Sequence, residues 1–257
     1  MSLFANYKNI RGFEYKYGFL STKIKPQKMK AVITGATKGI GRAIAIKLAQ
    51  NGYDLILVAR GAQDLEALKQ ELTSYGNAIF THAADCSVKD EVYAFLNSAA
   101  IGFDDVAVLV NNVGIFLPGS MLDEDDETFE KQQHLNLNAG YYISKFFGKK
   151  MRSIQHGHIF NICSVASKAP VKNGGSYSVT KSAMLSLNHV LRQELAPHNV
   201  KVTAFLPGST KTSSWEGTTI PDDKFVQPED IAETLFTILN LSKGVNVDEV
   251  LITPLDF

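Results

Sequence analysis

The stretch Ser176-Tyr177-Ser178-Val179-Thr180-Lys181 sets a tyrosine and a lysine four residues apart. On a helix that spacing puts both side chains on one face. A free phenol, with a pKa of about 10, holds its proton too tightly for easy exchange at neutral pH. A neighbouring ammonium favours the phenolate, which makes the pair an acid–base unit. Taken alone, the same spacing equally describes a packed tyrosine beside a surface lysine. Ser164 closes an apolar run, where its hydroxyl can hold a carbonyl oxygen. Asn136 lies inside a helical pattern although asparagine is a poor helix former. It therefore needs a partner, a backbone group or a water, held structurally or as part of a proton relay.

A second kind of chemistry is written in glycine. The apolar run Lys30–Thr34 leads into Gly35-Ala36-Thr37-Lys38-Gly39-Ile40-Gly41 and then into a helical pattern. A strand, a glycine-rich turn and a helix start together make an anion site. The glycines let the backbone approach a pyrophosphate, and the helix N-terminus favours its charge. The spacing is GxxxGxG rather than GxGxxG. Asn111-Asn112-Val113-Gly114 ends another apolar run, and by itself describes a turn.

These residues need elements to position them. Periodicity predicts strands over Lys30–Thr34, Tyr53–Ala59, Ala78–Ala84, Val106–Asn111, His158–Cys163, Val200–Leu206 and Val247–Thr253. It predicts helices over Gly39–Asn51, Leu65–Tyr75, Lys89–Ala100, Glu127–Arg152, Ser176–Glu194 and Ile231–Leu241. The acidic run Asp123–Glu127 leads the longest of these as a solvated helix start. About seven apolar strands alternating with helices imply a single α/β domain: a doubly wound, mostly parallel, Rossmann-like sheet. Ligands of such sheets sit beyond the carboxyl ends of the strands. Gly35–Gly41, Asn111–Gly114 and Ser164 all fall at that edge.

Composition narrows the function further. With 26 basic and 26 acidic residues the chain lacks the basic excess of a nucleic-acid protein. No apolar run approaches the ~20 residues that span a bilayer. No signal-peptide pattern is present, and Cys86 and Cys163 form no disulfide framework, so a reducing cytoplasm is the expected compartment. The six histidines suggest no metal site. His156 and His158 alternate at a strand start opposite the ligand edge, where a surface turn accounts for them. Residues 1–28 hold six basic residues and one acid, Glu14, and are rich in Phe and Tyr. They are expected to be an extension, with the catalytic domain running from Met29 to Phe257.

The ordered set of motifs resembles the short-chain dehydrogenase/reductase family from Met29 to about Thr253. It comprises the TGxxxGxG loop from Thr34 to Gly41, Asp85 after the third strand and the NNxG turn from Asn111 to Gly114. Asn136 in HLNLNAG, Ser164 in GHIFNICS, Tyr177 with Lys181, and PGxxxT from Pro207 to Thr212 complete it. Ser164 stands 13 residues before Tyr177, as in that family. Val113 departs from the usual alanine.

The resemblance implies a mechanism and a cofactor. Tyr177 would protonate the substrate oxygen as hydride arrives, and Ser164 would hydrogen-bond that oxygen. Lys181 would hold the nicotinamide ribose and assist Tyr177, and Asn136 would place a water linking Lys181 to solvent. Gly35, Thr37, Gly39, Ile40, Gly41, Asn112 and Gly114 would line the cofactor cleft. Asp85 and Cys86 would border the adenine, and Pro207, Gly208 and Thr212 the nicotinamide end. At the end of the second strand Ala59 stands where an NAD enzyme needs a carboxylate, and Arg60 follows. With Lys38 in the glycine loop, two cations can flank a 2′-phosphate, so the expected cofactor is NADP(H). That pool is usually kept reduced, so the expected reaction is carbonyl reduction on a small-molecule substrate.

Substrate choice should come from Ile115–Met121 and Ser209–Val226, the latter holding Trp215, which either covers a substrate or packs on the domain. The tail Val250–Phe257 lacks the glycine pair usual in 3-oxoacyl-thioester reductases, so the acyl-carrier reductase is an alternative rather than the first expectation. A non-catalytic NADP(H)-binding regulator is the alternative from another class. The family forms homodimers and homotetramers through its long helices, here near Glu127–Arg152 and Ser176–Glu194, and through the last strand, and the same is expected here.

Overall fold

The computed structural model describes residues 28–99, 103 and 105–256. Seven strands form one sheet: β1 (Lys30–Thr34), β2 (Asp54–Ala59), β3 (Ile79–Ala83), β4 (Val106–Asn111), β5 (Gly157–Ile162), β6 (Val200–Pro207) and β7 (Glu249–Ile252). Their order is β3-β2-β1-β4-β5-β6-β7, and every pairing is parallel. Of the proposed extension only Lys28 lies within the described residues; its ammonium donates to the Gly76 carbonyl (2.8 Å) and to Asn77 Oδ1 (2.9 Å).

Alternation along the strands separates two cores, because successive side chains leave opposite faces. Ala31, Ile33, Leu55, Leu57, Val108 and Val110 pack on one face with the helices α1 (Gly39–Gln50), α2 (Ala62–Thr73) and α7 (Pro228–Leu239). Val32, Ile56, Val58 and Leu109 pack on the other with α3 (Lys89–Ala99), α5 (Ala139–Ile154) and α6 (Gly175–Leu195). With both faces covered, the central strands β1, β2 and β4 are largely apolar rather than half polar; all six residues of β4 are buried. Each fully buried Leu, Ile, Val or Phe contributes roughly 1.5–3 kcal/mol, and these residues hold the sheet.

Two expectations need correction. The single helix expected over Glu127–Arg152 is three pieces: α4 (Asp126–Gln133), a π-helical turn (His134–Asn138) and α5. Two asparagines in the His134–Asn138 stretch weaken the α-helical ladder there, and Asn136 spends its side chain outside the helix. His158 is not on a surface turn. It is buried in β5, its Nε2 is 2.8 Å from Thr203 Oγ1, and its ring stacks on Phe160 at 3.9 Å. Burial, with Lys201 nearby, pushes its pKa down to about 3, so it is a neutral core histidine.

The chain leaves β1 outward to β2 and β3, then crosses back to β4 on the other side of β1. The crevice above the carboxyl ends of β1 and β4 is thus the point where the winding direction reverses.

Candidate active site

The glycine loop sits at that crevice. Gly35 and Gly39 have φ of +64° and +51°, a region that favours glycine. A Cβ on Gly41 would lie 2.2 Å from the Gly35 carbonyl oxygen, so only glycine lets α1 start this close to β1. Lys38 is the N-cap of α1 but offers no side-chain cap, which leaves the first-turn amides for an anion. Ile40 packs partly against the core. The Ala36 amide donates to the Val58 carbonyl (3.3 Å), tying the loop to the end of β2.

Asn112 and Thr34 fix the loop from the other side. Asn112 Nδ2 donates to the carbonyls of Thr34 (2.9 Å) and Gly35 (3.0 Å). Thr34 Oγ1 accepts from the amides of Asn112 (3.0 Å) and Val113 (3.2 Å). The Asn112 side-chain donor is therefore spent inside the protein, and it shapes the loop.

At the β2 and β3 ends, Arg60 and Asp85 are neighbours, since Ala59 pairs with Ala83 and the Ala84 amide donates to the Ala59 carbonyl (2.9 Å). Burial pushes the Asp85 carboxyl up. The amide and hydroxyl of Ser87, both donating to Oδ1, and the charges of Arg60 and Lys131 outweigh it and hold the pKa below the usual range. Lys38 and Arg60 are exposed, and among the described residues neither side chain forms a salt bridge. The Cys86 side chain turns into the core, where burial pushes its thiol up to about 12.

The candidate acid–base residues converge beyond β4 and β5. Lys181 is buried and its ammonium donates to the Ile162 carbonyl (2.9 Å). The same nitrogen lies 5.8 Å from the centroid of the Tyr177 ring. A Cβ on Gly114 would lie 3.1 Å from Asn136 Oδ1 and 3.3 Å from Lys181 Nζ, so the bare glycine lets these groups approach. Asn136 Oδ1 accepts from the Ile115 amide (2.7 Å), while Nδ2 donates to the Ile115 carbonyl (2.9 Å) and to Thr180 Oγ1 (3.1 Å). Its side chain is thus a clamp on residue 115, and π-helical turns like the one carrying it are frequent at functional sites.

Ser164 caps a short 3-10 turn, Val165–Ser167, its Oγ accepting from the Ala166 amide (3.1 Å). That bond uses an acceptor site and leaves the hydroxyl proton to donate. Cys163 is buried, which pushes its thiol up to about 11, so the cysteine beside Ser164 is packing. Beneath the site, Asn111 Nδ2 donates to Ser144 Oγ (2.7 Å) and Asn161 Oδ1 (2.8 Å), and Asn161 Nδ2 to Asn188 Oδ1 (2.8 Å). This buried ladder ties β4, β5, α5 and α6 together.

At the end of β6, Pro207 and then Gly208 lead to Thr212, whose methyl carbon lies 2.9 Å from where a Gly39 Cβ would sit. The post-β6 loop and the glycine loop therefore close on each other. Trp215 packs on Phe225 (5.1 Å). Sequence reasoning gave Thr34 and Thr180 no role of their own, and it placed Phe116 only within the Ile115–Met121 stretch expected to set substrate choice. Phe116 meets the Tyr177 ring edge-to-face at 5.0 Å, a contact between distant segments with no sequence signal. Among the described residues no group of three or more His, Cys, Asp and Glu could hold a metal, and no helix is long and apolar enough to cross a membrane.

Comparison with known proteins points the same way. A family model described as short chain dehydrogenase matches residues 29–221. An uncharacterized oxidoreductase of Staphylococcus epidermidis is 32% identical over 230 residues, 90% of this chain and 99% of that protein. The structure of an alcohol dehydrogenase from the archaeon Thermococcus sibiricus, complexed with 5-hydroxy-NADP, is similar with a TM-score of 0.81 and 32% identity, covering 88% of this chain and 96% of that one. A metagenomic short-chain oxidoreductase in complex with NADP is similar with a TM-score of 0.77 and 31% identity, again over 88% and 96%.

Proposed function

The chain belongs to the short chain dehydrogenase family of oxidoreductases, and from that premise we propose that it reduces a ketone or 3-oxoacyl-type carbonyl to the alcohol with NADPH. The observation that carries this is the approach of Asn136 Oδ1 and Lys181 Nζ around the bare Gly114, with Tyr177 beside the same lysine.

The residues fit the cofactor. Gly35, Thr37, Gly39, Ile40 and Gly41 form a cradle whose free first-turn amides suit a pyrophosphate. Lys38 and Arg60 flank the 2′-phosphate, and Ala59 offers no carboxylate to repel it. Asp85 and the Cys86 backbone border the adenine. Asn112 and Gly114 line the middle of the cleft, and Lys181, with Tyr177, holds the nicotinamide ribose. Pro207, Gly208 and Thr212 border the nicotinamide end. The complexes of the two similar structures with NADP-type cofactors support the same choice. When bound, NADPH supplies the hydride that reduces the carbonyl carbon.

The protein's own part is to hold and move a proton. Ser164 donates a hydrogen bond to the substrate oxygen and fixes it. The Tyr177 O–H bond breaks as its proton passes to that oxygen, giving the alcohol. The Lys181 ammonium stabilises the phenolate left behind, and the Ile162 carbonyl keeps that ammonium in place. Reprotonation of Tyr177 then runs by way of Lys181 and water near Asn136. Exposed Tyr141 and Ile154 on α5 and Val179 and Val190 on α6 support association of copies through these helices, which sedimentation would test.

The test is NADPH oxidation over a panel of ketones, 3-oxoacyl thioesters, diketones and aldehydes, with NADH and Tyr177→Phe alongside. Turnover with NADPH that falls by about 10²–10⁴ in the variant, with NADPH still bound, is the expected result. NADPH binding with no turnover would favour a regulator; preference for NADH would refute the roles of Lys38 and Arg60.

A further inference from the structure

Residues 115–122 form a wall beside Tyr177, and its construction bears on what the substrate can be. Ile115 is held at both its amide and its carbonyl by Asn136. Two residues on, the Leu117 amide donates to Oε1 of the fully buried Gln132 (3.2 Å). Asn136 and Gln132 are four residues apart across the junction of α4 and the π-helical turn. They therefore clamp residues 115 and 117 from the same side. Phe116, between them, goes the other way and meets Tyr177 edge-to-face.

The far end of the segment is fixed as well. The Gly119 amide donates to the Asn173 carbonyl (2.9 Å), and Gly119 bridges to Gly174 just before α6. A Cβ on Gly174 would come 3.4 Å from Phe116 Cε2, and one on Gly175 would come 2.7 Å from Met121 Cβ. Glycines at 174 and 175 thus let the wall close onto the helix that carries Tyr177.

What this wall presents is apolar and then acidic. Phe116 is 42% exposed, Met121 60% and Leu122 88%. Directly behind them come Asp123, Glu124, Asp125, Asp126, Glu127 and Glu130, with no Lys or Arg anywhere from 115 to 130. Asp123, Asp125, Asp126, Glu127 and Glu130 are exposed, and none of the six has a salt bridge among the described residues. The amides of Asp123 and Glu124 donate to the Ser120 carbonyl, so this rim is folded against the wall.

Resting on the reductase function above, we infer that Phe116 is a specificity-determining residue, and that the substrate is an uncharged carbonyl compound bearing an aromatic or bulky apolar substituent. The Phe116 ring stacks that substituent beside the Tyr177 hydroxyl, and the acidic rim repels carboxylates, phosphate-bearing thioesters and acidic carrier proteins.

The experiment compares matched ketones: methyl 4-acetylbenzoate, 4-acetylbenzoate and a small aliphatic ketone. Each is reduced with NADPH by the full chain, by Phe116→Ala, by Phe116→Leu and by an Asp123→Asn, Asp125→Asn, Asp126→Asn variant. The methyl ester is expected to exceed its carboxylate by about tenfold or more in kcat/KM, a ratio that shrinks in ~0.5 M salt and in the triple variant. Phe116→Ala should lower kcat/KM for the aryl ester by about tenfold, with less effect on the aliphatic ketone and NADPH affinity unchanged. Phe116→Leu, which keeps bulk, should fall between the two and guards against a folding defect in the alanine variant. Equal use of ester and carboxylate, or equal losses on aryl and aliphatic ketones, overturns this inference and leaves the reductase standing. NADPH binding with no turnover of any carbonyl overturns the reductase, and the inference with it.

Discussion

Replacing Asn136 with alanine would test the clamp most directly. The change deletes an acceptor for the Ile115 amide and donors to the Ile115 carbonyl and Thr180, contacts of 2.7, 2.9 and 3.1 Å. A typical net hydrogen bond contributes about 1 kcal/mol, and a buried group left without a partner costs about 1–3 kcal/mol. Two backbone groups of one residue lose their partner here, in a partly buried setting, so the expected loss is about 2–4 kcal/mol. For a domain of this size 1 kcal/mol moves the melting temperature by about 2–4 °C. Thermal melts should therefore drop by roughly 4–16 °C. The freed segment also carries Phe116, so KM for the carbonyl should rise while NADPH affinity stays within about twofold. A drop below about 2 °C would refute the clamp. Loss of kcat with no change in melting or KM would assign Asn136 to the proton relay alone.

Three more outcomes are expected. Gly41→Ala should abolish NADPH binding in a titration, since its Cβ would sit 2.2 Å from the Gly35 carbonyl oxygen and neither backbone can yield cheaply. Lys38→Ala with Arg60→Ala should weaken NADPH by about tenfold, a figure discounted for exposure, and leave NADH within about twofold; equal losses on both cofactors would contradict the 2′-phosphate assignment. His158 is neutral in the fold, with a pKa pushed to about 3, and regains an ordinary value of about 6.5 on unfolding. The unfolded chain then binds the extra proton, so stability is full above about pH 6.5 and falls as the pH drops toward 3. Between pH 7 and 5 this one residue should cost about 2 kcal/mol, and in urea melts His158→Gln should show a shallower pH dependence than the parent by that amount.

Much of this protein was legible in one dimension. The strands read as continuous apolar runs because a parallel sheet buried on both faces leaves no polar side, and the structure ends most of them within a residue or two of the expected bounds. The glycine loop was legible too, because a strand, a glycine turn and a helix start are contiguous in sequence, and so was the placing of Tyr177 and Lys181 one turn apart on a single helix. Where contacts joined distant segments the sequence was silent. Nothing local to residues 127–152 announced that the helix would open into a π-helical turn, because the bonds of Asn136 run to residue 115, twenty-one positions earlier. His158 looked like a turn residue because its partner, Thr203, is forty-five positions away on the next strand. The sequence by itself determined which chemical groups are present and which local elements carry them. Only the tertiary structure decided that Gly114, Asn136 and Lys181 meet, and that Phe116 faces Tyr177. Those meetings depend on the order of strands across the sheet, and that order is set by packing between faces that no window of neighbouring residues contains.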